Sequence, residues 1–330
     1  MVRFPQYIFW RAALFDLGLH LPGAGMTIDL QQVIQSSLSL RFASSLAKSL
    51  PPQWGYRIAY GLAEQIANRR NSGLVRAIRL NQWMASRESL QGEALDRVVR
   101  DTLRNSAHSL FDLYHYNHDF DATRQLIVFD SSFESIARRA EFDSQGLVIA
   151  GLHLSNFDLV LQWLCRDGLK PLVLTIPNPK GGRQMEYEIR KRTGMNLVPA
   201  SVGALKQALK HLQRGGMVLT GIDRPIDKPQ VCPRFFGRPA ALPVHHVFLA
   251  SKACVPVVIT AAYLQPDGKY HVHASDPIEM VSYPDVEENT LRNAERVLAI
   301  AEKFIQRSPQ QWSVPLPVWP DLMDQVPSNL

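Results

Sequence analysis

Apolar positions change their spacing near residue 120. From about Leu30 to Tyr116 they recur among Arg, Gln and Asn at helical intervals, with Pro51 and Pro52 marking a break, and this predicts a helical cap. Beyond it, short β-type runs stand at residues 125–129, 146–150, 172–176, 217–222, 255–262 and 270–274. Helical patterns alternate with them over 158–165, 202–214 and 243–253, and a charged amphipathic stretch at 287–307 precedes a proline-rich tail. Alternation of this kind predicts an α/β fold, a mixed central β-sheet flanked by helices with an N-terminal helical extension. Residues 1–120 are expected to form the extension and 121–330 the α/β domain. No internal repeat interrupts the pattern.

With 330 residues and 46% hydrophobic positions, the chain can bury a sizeable core. Its net charge of +6 is spread over small groups such as Arg69-Arg70, Arg138-Arg139 and Arg190-Lys191-Arg192. That distribution suits an anionic membrane surface or phosphate-bearing ligands, and no nucleic-acid-binding motif accompanies it, so no nucleic acid is expected as a partner. Cys165, Cys232 and Cys254 are odd in number and widely spaced, which gives neither a metal pattern nor a disulfide framework and points to a reducing compartment. The first twenty residues lack the features of a signal peptide, and Arg11 and Asp16 interrupt a membrane span. Residues 7–19, aromatic-rich and flanked by Arg3 and Arg11, fit an interfacial anchor and a core helix equally well.

The chemistry-bearing motif is His153-Leu154-Ser155-Asn156-Phe157-Asp158, at the carboxyl end of the predicted strand 146–150, where open α/β sheets bind ligands. Three readings fit it. His153 could act as a general base whose tautomer a carboxylate fixes, an assistance worth roughly two to four orders of magnitude in rate. It could bind a metal, although no cluster of further ligands lies nearby and no metal is expected. It could also be a satisfied turn histidine beside an N-cap aspartate. Arg190 and Arg192 are candidates for holding a phosphate, against the plainer reading of a solvated helix face. Asp223, with Arg224 beside it, ends the strand 217–222 and is a candidate for binding hydroxyls or positioning a basic group. Phe235 and Phe236 are candidate walls of an acyl groove, although paired phenylalanines are more often core. His245 and His246 read as structural or surface groups.

The ordered set of motifs resembles the glycerolipid acyltransferase superfamily, and within it the lipid A biosynthesis acyltransferases. The resemblance runs from Gly146 to Trp312. It rests on the His153 to Asp158 motif, Arg190 to Met195, Arg214-Gly215-Gly216, the strand ending in Asp223, Pro233 to Ala240 with its Phe-Phe-Gly segment, and Pro309-Gln310-Gln311-Trp312. It implies that His153 and Asp158 form the catalytic dyad. It also implies an O-acyltransferase that moves a fatty acyl chain from acyl-CoA or acyl carrier protein to a hydroxyl of a membrane glycolipid or lysophospholipid, with no cofactor. Such an enzyme would work at the cytoplasmic face of the cell membrane, peripherally or monotopically. In thioester chemistry of this kind, His153 would take the acceptor's proton and Asp158 would orient it. Amides near Ser155 and Asn156, or a nearby cation, would stabilise the developing oxyanion, and Arg190, Arg192, Asp223, Arg224 and Asn156 would contact substrate. A hydrolase would need a nucleophile elbow that the chain lacks. A non-catalytic lipid-binding protein of the same fold is the alternative, and an intact His153 and Asp158 argue against it.

Overall fold

In the computed structural model the described residues are 47–142, 145–176 and 182–327. The aromatic-rich stretch at 7–19 and the start of the expected helical region lie outside them. After helical residues 47–49 stand three long helices: α1 (Pro52–Ala67), α2 (Gly73–Ala85) and α3 (Gly92–Tyr116). Ser72 caps α2 by accepting the Val75 main-chain N–H. Helix α1 lies so close on α3 that a Cβ on Gly55 would sit 2.1 Å from the Phe111 ring, so the contact requires glycine.

The short helix α4 (Phe120–Gln125) leads into alternating elements: β1 (Ile127–Phe129), α5 (Ser131–Phe142), β2 (Leu147–Gly151), α6 (Phe157–Arg166), β3 (Leu172–Thr175), α7 (Gly182–Arg192) and β4 (Asn196–Pro199). There follow α8 (Val202–Gln213), β5 (Met217–Gly221), the small hairpin β6 (Arg234–Phe235) and β7 (Arg238–Pro239), α9 (His245–Ala253), β8 (Val257–Leu264), β9 (Tyr270–Ala274) and α10 (Val286–Arg307). The expected runs all become elements. β4, a mostly exposed strand at the sheet edge, and the two-residue β6 and β7 were not expected from the pattern.

Seven strands form one sheet in the order β1-β9-β8-β2-β5-β3-β4. β2 is central and pairs in parallel with β5 and β8, β3 pairs in parallel with β4 and β5, and β8 and β9 are antiparallel. The sheet is therefore mixed and the fold α/β. Being central and covered on both faces, β2 is buried along nearly its whole length, which explains its continuous apolar sequence.

The two faces are packed differently. On one, Val148, Ala150, Val218, Val257 and Ile259 join a single large cluster that continues without a break into Leu74, Ile78, Leu80 and Met84 of α2 and Leu95, Val99 and Leu103 of α3. On the other, beneath α5 and α6, the buried residues fall into three small clusters around Leu159, Leu147 and Leu161. A cavity separates them. Among the described residues no helix is long and apolar enough to cross a membrane.

Candidate active site

The parallel register of the two central strands determines which residues meet beyond their carboxyl ends. Gly151 of β2 lies opposite Gly221 of β5, so two residues further on His153 stands beside Asp223. The His153 main-chain N–H donates to Asp223 Oδ2 at 2.8 Å, and its ring Nδ1 meets Asp223 Oδ1 at 2.5 Å. Trp312 adds a third donor, its indole N–H reaching Oδ2 at 2.9 Å. The loop carrying His153 is also tied to the segment before and after Trp312. Ser155 N–H donates to the Gln311 carbonyl at 2.8 Å, and Ser313 N–H donates to the His153 carbonyl at 2.9 Å. Ser155 turns the chain here with φ +50°, and Asn156 starts α6 as its N-cap.

These surroundings set the charge states. Burial lowers the His153 pKa, as do the positive charges of Arg224 and Arg190, while Asp223 opposes them. The net direction is downward, so the imidazole is neutral near pH 7. For Asp223 burial alone would raise the pKa. The His153 ring and the donors on its carboxylate outweigh it, and the group stays ionised. With Nδ1 facing the carboxylate as donor, Nε2 is the nitrogen that can accept a proton. The Phe157 ring packs edge-on against the imidazole, 4.9 Å between centroids.

Asp158 does not touch His153. Both its oxygens are taken by Arg190, with Nε at 2.9 Å and Nη2 at 2.8 Å, and Gln162 donates to it at 3.2 Å. Because α6 begins at Phe157, Asp158 falls in its first turn, within reach of α7 rather than over the ring. The expected His153–Asp158 contact is therefore corrected to His153–Asp223, and Asp158 joins α6 to α7 instead. Asn156 is also spent internally. Its amide donates to the Ser109 carbonyl and the Tyr270 hydroxyl, and its carbonyl oxygen caps α6. The side chain expected to contact substrate is thus engaged within the fold.

A cavity of about 1050 Å³ is lined at one end by His153 and runs between the sheet and helices α5 and α6 toward the start of the strands. Leu147, Ile149, Leu219 and Val258 floor it, and Val160 and Leu161 of α6 and Ile136 of α5 roof it. The floor changes from bulky side chains to the Gly151–Gly221 pair just where the imidazole stands. A Cβ on Gly221 would lie 3.0 Å from His153 Cε1. Arg190 and Arg224 line the cavity near its mouth, whereas Arg192 is exposed on α7 and does not. Phe235 and Phe236, expected to wall an acyl groove, are 0% and 4% exposed and pack against Trp312 and Trp319 in the core, away from the cavity. Their apolar character serves β6 and the tryptophans. The apolar lining comes instead from strand residues that read in sequence only as sheet core.

The arrangement is a neutral imidazole oriented by a buried carboxylate, at the mouth of an apolar cavity with two guanidinium groups beside it. Such a site can take a proton from a hydroxyl while a long apolar chain lies between the sheet and its helices. No curated protein matches the chain. Residues 119–319 match the family model described as bacterial lipid A biosynthesis acyltransferase. Since that match covers more than half of the sequence, the chain belongs to the bacterial lipid A biosynthesis acyltransferase family, and its activity is the transfer of an acyl group to a lipid.

Proposed function

We propose that the protein transfers a fatty acyl chain from a thioester, acyl-CoA or acyl carrier protein, to a hydroxyl of a membrane glycolipid or lysophospholipid, with His153 as general base and Asp223 as its orienting carboxylate. The observation that carries this reading is the 2.5 Å contact of His153 with buried Asp223 at the mouth of an apolar cavity. The acyl chain lies along Ile149, Leu219 and Val160, and the thioester carbonyl sits beside the His153 ring. His153 Nε2 takes the proton of the acceptor hydroxyl as its oxygen bonds to the carbonyl carbon. The C–S bond of the resulting tetrahedral adduct then breaks, and the imidazolium returns the proton to the departing thiolate. Arg224, which lines the cavity near the imidazole, stabilises the oxyanion of the adduct, and Arg190 holds Asp158 and so fixes α6 over the substrate.

The membrane reading is supported by Trp54 and Ile58, both exposed and four residues apart on α1, with the Arg57 guanidinium 5.2 Å from the Trp54 ring centroid. Ile176 and Ile226, also exposed, stand at the cavity mouth. We infer peripheral attachment to the cytoplasmic face of the membrane through these groups.

Transfer of labelled palmitoyl from CoA and from carrier protein to a total lipid extract tests the reaction. A labelled lipid formed by the parent protein and lost in His153→Ala and Asp223→Asn is the expected result. Activity surviving in His153→Ala would remove the base assignment, and no product with either donor would leave the non-catalytic lipid-binding reading.

A further inference from the structure

The third donor to Asp223 comes from a part of the chain remote from the sheet. Trp312 is 1% exposed, and its ring packs against Phe235 and Phe236. The segment that carries it is held on one side by the His153 loop, through Gln311 and Ser313. On the other it is held by α2. The Gln82 side chain donates to the Pro309 carbonyl at 2.8 Å, and Asn81 donates to the carbonyls of Val314 and Leu316, both at 2.9 Å. Asn81 also accepts the Val318 N–H at 3.1 Å. Both side chains are almost completely buried, so these bonds operate without competing water.

We propose that Trp312 is a positioning residue of the proton-transfer pair: its indole N–H, fixed in place by Asn81 and Gln82, orients the Asp223 carboxylate and limits how tightly it holds the His153 proton. This rests on the reading of His153 as the base. A donor to a carboxylate stabilises its ionised form. Without the indole N–H the same charge is shared among fewer donors, the remaining bond to His153 tightens, and the imidazolium is favoured. The charged groups that face His153 are Asp223, Arg224 and Arg190. Tyr187 and His245 line the same cavity, and a change at Trp312 leaves all five in place.

The test uses the full chain with Trp312→Phe and, separately, with a tryptophan analogue at position 312 in which sulfur replaces the ring N–H and the ring volume is kept. His153 is titrated by NMR in histidine-labelled protein, its signal identified by its loss in His153→Gln. The kcat/KM profile is followed across pH with palmitoyl-CoA as donor. The expected result is a rise in the His153 pKa of roughly half a unit to one unit in both variants. The acid limb of kcat/KM moves with it, so that below the limb the rate falls about 3- to 10-fold. An unmoved His153 titration with the sulfur analogue overturns the proposal, whatever happens to stability or rate, and makes Trp312 a packing residue. The titration needs no turnover. Its failure is therefore distinct from failure of the base assignment, which would appear as activity in His153→Ala.

Discussion

Asp158 and Arg190 meet fork to fork, at 2.9 and 2.8 Å, and tie the first turn of α6 to the last turn of α7. Breaking the pair leaves a carboxylate or a guanidinium without its partner in a mostly buried place. Asp158→Asn and Arg190→Met are each expected to cost about 2 to 3 kcal/mol, below fully buried pairs because Arg190 keeps 22% of its side chain accessible. Urea unfolding measures this. Asp158→Asn leaves the His153–Asp223 bond in place, and Arg190→Met should raise the His153 pKa by removing one of the positive charges that lower it, whereas Asp223→Asn should cut kcat by about 10³- to 10⁴-fold, as expected when an imidazole loses its orienting carboxylate. Equal losses of kcat in Asp158→Asn and Asp223→Asn would contradict this division of roles.

Gly221 supplies the floor under the imidazole. In Gly221→Ala the new methyl would press on His153 Cε1 from 3.0 Å, and the ring must tilt away from Asp223. A loss of about 10- to 100-fold in kcat with little change in melting temperature is expected, because a small displacement of a reacting group is costly. Gly151→Ala is the control, since its Cβ would meet nothing closer than 3.7 Å. Similar losses in both variants would show that the effect is not on the imidazole.

Ile149 sits midway along the cavity floor, between Leu219 and Val258 on the neighbouring strands. A larger side chain there should shorten the space below the thioester. Ile149→Trp is expected to shift donor preference from long to shorter acyl chains, read as the ratio of kcat/KM for palmitoyl and octanoyl donors. An unchanged ratio would place the acyl chain elsewhere.

His245 and His246 carry a prediction for acid. Burial lowers their pKa values to about 4 and about 3. The unfolded chain has histidines near 6.5, so it binds more protons than the native protein between roughly pH 6.5 and pH 3. Stability is therefore full above that window and falls as the pH drops through it. Urea midpoints measured from pH 7 to pH 4 should fall steadily, with a shallower slope in His246→Leu. Identical slopes would mean that His246 is not held neutral.

Much of the sheet is legible in the sequence because its strands are short apolar runs bounded by Gly and Pro, as at 146–150 and 217–222. β4 escapes this reading: Asn196–Pro199 is an edge strand with little buried surface, so its apolar signal is weak. His153 is recognisable from its place at a strand end. Asp223 is legible as a candidate for positioning a basic group, but the choice between it and Asp158 depends on β5 lying beside β2, and adjacency of strands separated by about seventy residues leaves no local pattern. The cavity is hidden for a related reason. Leu147, Ile149 and Leu219 have the composition of any buried strand, and only the separation of α5 and α6 makes them a lining. Asn81 and Gln82, read as ordinary polar positions of a helical cap, are internal because the 309–318 segment runs over α2.

That strap of residues 309–318 also sets an order in time. His153 and Asp223 leave the ribosome well before Trp312, yet their loop is anchored by hydrogen bonds to Gln311, Trp312 and Ser313. A nascent chain halted after β9 holds both members of the pair and lacks the groups that seat them. Synthesis of α10 and the strap behind it thus acts as a maturation step, because the pair is seated only once residues 309–318 have been made.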